Sequence, residues 1–153
     1  MSSVKVYLYD ISMGMAKTMS PMLLGPQNAL DYIPHTSVVV FGMEYFFGMG
    51  VQRCIPGQSG HGQPMKVLDY GHTEVPSELF EEWLTTAAAK YNTTSYHLLD
   101  LNCNNFTNDA IEFLSGSTLP AEIVTLPQQV MSTPLGQMIK PFIEQFFAAS
   151  NNV

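Results

Sequence analysis

Apolar and polar positions alternate over residues 4–10, VKVYLYD, placing Val4, Val6 and Leu8 on one face and predicting a strand. Residues 12–34 mix Met, Gly and Pro and read as a loop with a short helix around Pro21 to Leu24. Residues 35–41, HTSVVVF, predict a second strand, Gly42-Met43 a tight turn, and Glu44 to Gly48 a returning strand. Residues 49–64 carry Gly50, Gly57, Gly60 and Gly62 with Pro56 and Pro64 and read as a long loop. Met65 to Gly71 and Thr73 to Val75 follow as short extended pieces.

The period then becomes helical. In 77–91, SELFEEWLTTAAAKY, one face carries Leu79, Phe80, Trp83, Leu84, Ala87 and Tyr91. Ser77 is the expected N-cap, and Glu78, Glu81 and Glu82 suit the positive end of the dipole. A second helix is expected over 103–115, with Phe106, Ala110, Phe113 and Leu114 on one face, Asn102 as N-cap and Gly116 as C-cap. A last helix, 134–147, starts after Thr133 with Pro134 at its first position. Strand, strand hairpin and three helices predict one α+β domain over 1–153, its core about 4–147, with a small, largely antiparallel sheet.

Composition narrows the partners. Lys and Arg number 6 against 13 Asp and Glu, a net charge of −7, and the bases are scattered, so neither nucleic acid nor an anionic membrane is an expected partner. Charged residues make up 12% of the chain, about half the usual share, which favours a covered face in an oligomer or a protein-binding groove. No apolar run reaches the length of a membrane span. Met1 to Asp10 lacks the basic and apolar regions of a secretory signal, so Cys54 and Cys103 are expected as reduced thiols in the cytoplasm or nucleus.

The stretch Asn102-Cys103-Asn104-Asn105 places a cysteine in the first turn of a helix. There the dipole and the backbone N–H groups lower a thiol pKa and can stabilise an oxyanion, with Asn102 and Asn104 as helix-cap and oxyanion support. The alternative is a buried structural cysteine, the commoner fate of a lone one; the run of amides weighs against it. His35, at the head of an apolar strand, is either a structural histidine or the general base and acid for Cys103. His61 in the glycine-rich loop, His72 in a turn and His97 near the sheet are weaker candidates. Neither C-x-x-C nor H-x-x-x-H occurs, so no metal site is expected, and no phosphate-cradle spacing is present.

Several stretches together resemble the PPPDE superfamily of permuted papain-fold peptidases, and within it the type 1 desumoylating isopeptidases. They are Val4 to Asp10, Ser20-Pro21-Met22-Leu23-Leu24-Gly25, His35 to Val40 and Glu44 to Gly48. Thr73-Glu74-Val75, Asn102-Cys103-Asn104 with Phe106 and Asn108, and Ser132-Thr133-Pro134-Leu135-Gly136-Gln137 complete the set. The resemblance implies a permuted papain-like cysteine peptidase fold in which the catalytic histidine, His35, precedes the nucleophile, Cys103. It implies cleavage of the isopeptide bond between a ubiquitin-like modifier, chiefly SUMO, and a target lysine. It also implies a homodimer with its groove near the interface, and no cofactor. Two positions depart from the type 1 pattern: Pro34 stands where tryptophan precedes the histidine, and Arg53 where a small residue precedes Cys54. No third catalytic residue is evident; Glu44 lies on the neighbouring strand but away from His35. Two rival functions remain: a protein thioesterase (S-deacylase) using the same Cys-His dyad, and a non-catalytic adaptor that binds a modifier.

Overall fold

The computed structural model describes residues 2–10, 12, 14, 17–18, 21–22, 32–92 and 102–125. The expected helix at 134–147, most of the 12–34 loop and His97 lie outside the described residues. Five strands form one antiparallel sheet: β1 (Ser2–Asp10), β2 (Pro34–Val40), β3 (Met43–Gly48), β4 (Gly50–Cys54) and β5 (Lys66–Thr73), ordered β4-β3-β2-β1-β5. Two helices follow, α1 (Ser77–Lys90) and α2 (Cys103–Ser115).

The period of two sorts the sheet into an apolar and a polar face. Val4, Val6, Leu8, Val38, Val40, Tyr45 and Phe47 join Phe80, Leu84, Phe106, Ala110 and Ile111 of the helices in one core. Trp83 ties the helices together, its ring 5.6 Å from Phe80 and 5.6 Å from Phe113. The other face carries Tyr9, His35, Ser37, Glu44 and Phe46, every one of them also buried. A sheet buried on both faces explains why β2 reads as a continuous apolar run after its first residues.

Four expectations are corrected. The hairpin turn is Phe41-Gly42, not Gly42-Met43: both residues have positive φ, 54° and 75°, the requirement of a type I′ turn. Pairing therefore sets Val39 opposite Glu44 and Val38 opposite Tyr45. The segment 49–64 is not all loop, because β4 pairs with β3 from Gly48↔Gly50 to Glu44↔Cys54. Strand β5 runs unbroken through the expected gap at His72 and ends at Thr73, with Glu74 and Val75 outside it; it is irregular opposite Ser3 and Lys5 of β1. Helix α1 begins at Ser77 itself: Pro76 is the N-cap and no side chain caps it. Ser77 thus opens the helix, a position where its hydroxyl is not the cap.

Helix α2 matches its expected bounds. Asn102 and Asn105 form a reciprocal capping box, and Gly116 closes the helix at φ 71°. Tyr45, Phe46 and Phe47 are all buried within the single chain. Only Met49 in that stretch is strongly exposed, at 52%.

Candidate active site

The start of α2 is fastened to the start of β2 by side chains. Thr36 Oγ1 donates to Asn104 Oδ1 at 2.7 Å, and Asn104 Nδ2 donates to the Pro34 carbonyl at 3.2 Å. One turn further along, Thr107 Oγ1 donates to the Thr36 carbonyl at 3.1 Å. These bonds grip the residues on either side of His35 and hold them against the turn that carries Cys103. The Cys103 thiol itself donates to Asn104 Oδ1 at 3.7 Å. Asn104 is therefore a clamp between the cysteine and the histidine strand.

Asn102 is the helix N-cap, as expected. Asn102 Oδ1 accepts from the backbone N–H groups of Asn104, at 2.9 Å, and Asn105, at 3.3 Å. The Phe106 N–H bonds the Asn102 carbonyl at 3.3 Å. The N–H groups of Asn104 and Asn105 are thus taken up by the cap side chain, and that of Phe106 by the first helical backbone bond. Asn102 shapes the helix start, and the Asn104 side-chain amide is committed to Pro34. Both act here as scaffold for Cys103, which stands in the first turn at the positive end of the helix dipole.

Cys103 and His35 are completely buried. Because residues alternate along β2, His35 projects to the polar face while Thr36 reaches α2. Neither ring nitrogen of His35 makes a hydrogen bond, so none joins the ring to the Cys103 thiol. Burial first, and His61 second, hold the His35 pKa well below its usual 6.5. The ring is therefore neutral at physiological pH, the form that accepts a proton.

Around it stand Tyr9, at 5.8 Å between ring centroids, Phe46, at 6.0 Å, and His61, at 3.9 Å. Behind this shell lies Glu44, fully buried. Its Oε2 accepts from Tyr9 at 2.7 Å and Ser37 at 2.5 Å, and its Oε1 accepts from the Gly57 N–H at 2.8 Å. Glu44 does not touch His35, in keeping with the sequence reading, but it fixes Tyr9, the residue paired with His35 across β1 and β2. Asp10 secures the strand entry: it accepts from the Ile33 N–H at 3.2 Å and from the N–H groups of Ser12, at 2.9 Å, and Gly14, at 2.8 Å. Burial alone would raise its carboxyl pKa; these donors and the Ser12 hydroxyl outweigh it and hold the value below the ordinary one.

The second cysteine is chemically different. Burial, and then the Glu44 carboxylate opposite, raise the Cys54 pKa. Cys54 is half-buried and is joined to Cys103 by no disulfide. Among the described residues no group of three or more His, Cys, Asp or Glu is placed to hold a metal.

The chain matches the family model described as "PPPDE putative peptidase domain" over residues 2–144. It belongs to that family. The resemblance read from the His35 strand and the Asn102-Cys103-Asn104 helix start is thereby borne out, as is the α+β class. Desumoylating isopeptidase 1 of Xenopus laevis is 42% identical over 154 residues, covering 98% of this chain and 90% of that protein. The proteins of the same name from Rattus norvegicus and Homo sapiens are each 43% identical over 143 residues, covering 92% of this chain and 84% of theirs.

Both departures from the type 1 pattern find a place in this PPPDE peptidase. Pro34 contributes its carbonyl to the Asn104 clamp, a role independent of its side chain. Arg53 leaves β4 to form a bidentate pair with Glu81 of α1, both contacts at 2.9 Å, and lies 5.4 Å from the Tyr45 ring. As an exposed pair it adds about 0–1 kcal/mol. Sequence reasoning missed two residues, His61 and the scaffold role of Glu44. The signal for Glu44 was present: the I′ register puts it on the same face as Ser37 and His35.

Proposed function

We propose that this PPPDE peptidase is a cysteine isopeptidase that removes SUMO from target lysines, with Cys103 as nucleophile and His35 as its base and acid. The observation that carries the dyad is the Asn104 clamp, which binds Pro34, Thr36 and the Cys103 thiol with one side chain. The choice of SUMO rests on the three desumoylating relatives.

In the reaction, neutral His35 takes the Cys103 proton and the thiolate attacks the carbonyl carbon of the modifier's C-terminal glycine. The C–N isopeptide bond breaks as the imidazolium gives its proton to the lysine amine, leaving a thioester. His35 then takes a proton from water, the hydroxide attacks the thioester, and the proton returns to the departing sulfur. No cofactor enters these steps. Since no hydrogen bond joins the ring to the thiol before substrate arrives, substrate binding must close that contact; loose geometry before binding is common in such sites.

We place its action in the cytoplasm or nucleus, a reading supported by the lack of a disulfide between Cys54 and Cys103. The working form is a homodimer, supported by β4, an edge strand among the described residues, and the exposed Met49 and Ile55 beside it, 52% and 61% accessible. Light scattering at micromolar concentration should give twice the 16.9 kDa chain mass; a monomer mass removes the dimer.

The test of function is a panel of modifiers carrying a C-terminal fluorogenic amide, together with S-acylated peptides. SUMO should be hydrolysed at least about 10-fold faster than ubiquitin, a pocket-level discrimination. Preference for the S-acyl peptides would make the protein a thioesterase. Binding of SUMO with no turnover of any substrate would make it an adaptor.

A further inference from the structure

We propose that His61 is a positioning residue for His35, stacking on the base to fix its ring for proton transfer. The inference rests on His35 being the base, as above.

His61 comes from the loop between β4 and β5, and this loop is tied down on both sides of it. The Gly57 N–H bonds Glu44, and the Met65 N–H bonds the Leu8 carbonyl at 2.7 Å. Gly60 and Gly62, at φ 91° and 85°, turn the backbone in a way that L side chains rarely adopt. Between them His61 points inward, 4% exposed, with Nδ1 2.8 Å from Ser59 Oγ. Its ring lies 3.9 Å from the His35 ring at 31°, closer than the usual 4.5–7 Å of aromatic pairs. It also meets Phe46 edge-on at 5.3 Å and Tyr9 at 5.7 Å.

Were His61 only a plug, an apolar side chain would serve without the cost of burying an imidazole. The same box of Tyr9, Phe46 and His61 surrounds the catalytic ring, and His61 is the wall supplied by a loop and not by a strand. With no hydrogen bond on either His35 nitrogen, ring contacts are what set its orientation.

The electrostatics give the stack a second effect. Among the described residues, the titratable groups around His35 are Tyr9 from β1, Glu44 from β3 behind Tyr9, Cys54 from β4 opposite Glu44, Cys103 from α2 and His61 from the loop. Of these, His61 is the one that can carry a like charge, and it adds to burial in lowering the His35 pKa. An imidazolium formed there is a strong acid, suited to handing its proton to a departing lysine amine. Removing His61 raises the His35 pKa, so His35 stays protonated to higher pH and the acid limb of kcat/KM moves up.

The experiment compares full-length wild type, His61→Ala, His61→Phe and His35→Ala, reading kcat, KM and the acid limb on a SUMO fluorogenic amide. His35→Ala reports the underlying reading: unchanged turnover there refutes His35 as base and leaves His61 nothing to position. With His35→Ala inactive, His61→Ala should lower kcat roughly 10- to 100-fold, the cost of a misplaced catalytic group, with KM nearly constant. Its acid limb should move to higher pH. His61→Phe keeps a ring against His35 and should restore most of kcat, while its acid limb stays above that of wild type. A wild-type kcat in His61→Ala, or an acid limb unmoved in His61→Phe, overturns the proposal; the Phe variant decides if the Ala variant does not fold.

Discussion

Replacing Asn104 with alanine removes the clamp between the nucleophile and the histidine strand. The variant leaves the Pro34 carbonyl without its donor and the Thr36 hydroxyl without its acceptor, both on fully buried residues. Each such orphan costs about 1–3 kcal/mol. Water entering the vacated space recovers part of this, so the expected loss is roughly 2–4 kcal/mol. That is below the ~5–15 kcal/mol of a typical domain, and the variant should fold. Thr36→Val should cost ~1 kcal/mol, and the double variant should show a coupling of about 1 kcal/mol between the two positions. Activity should fall further than stability: once the start of α2 is free to shift by an ångström against β2, kcat should drop roughly 100-fold with KM nearly constant. Urea denaturation supplies the stability difference, and steady-state hydrolysis of a SUMO fluorogenic amide supplies kcat. A stability loss within about 0.5 kcal/mol, the range of ordinary surface changes, together with wild-type kcat, would refute the clamp.

Three further outcomes are expected. His35→Ala should reduce kcat roughly 10²–10⁴-fold and slow alkylation of Cys103 near neutral pH; unchanged rates of both would remove His35 from the site. Cys54→Ala should keep wild-type turnover, since burial and Glu44 hold its thiol protonated; loss of activity in a folded variant would show that the two cysteines share a task. Because the folded protein keeps His35 neutral while the unfolded chain protonates near 6.5, stability should fall as pH drops from about 6.5 toward the depressed native value. Denaturation midpoints at neutral and mildly acidic pH measure this slope, and a slope identical in His35→Gln would show that another group is responsible.

Much of this was legible in the sequence because local signals and tertiary needs agreed. Asn102 capping, Gly116 closing and the apolar face of Phe106 and Ala110 specify α2 from its own thirteen residues and the two that flank them. The alternation of Val4, Val6 and Leu8 survives because one sheet face packs on the helices. What failed was set by register and by distant partners. Strand β4 is half-exposed and glycine-bounded, and its pairing with β3 is stabilised by contacts that no local pattern displays. The hairpin turn sits one residue earlier than expected because Phe41 takes φ 54°, an uncommon state for an aromatic residue. That shift keeps Glu44 on the face of Ser37 and Tyr9 but sets it opposite Val39 in place of Phe41, two residues nearer to Ser37. His61 looked like an exposed loop histidine; only the Gly57–Glu44 and Met65–Leu8 bonds, formed over long separations, fold the loop back onto His35. Asn104 was read as part of a polar helix start, while its partners, Pro34 and Thr36, lie about seventy residues earlier.

The central claim, that Cys103 is the nucleophile toward SUMO, is tested most directly by trapping it. SUMO bearing a C-terminal electrophile is incubated with the protein, and the adduct is located by peptide mass spectrometry. The account predicts one equivalent of SUMO bound to Cys103, absent in Cys103→Ala and slowed in His35→Ala. An adduct on Cys54, or labelling that persists in folded Cys103→Ala, would contradict it.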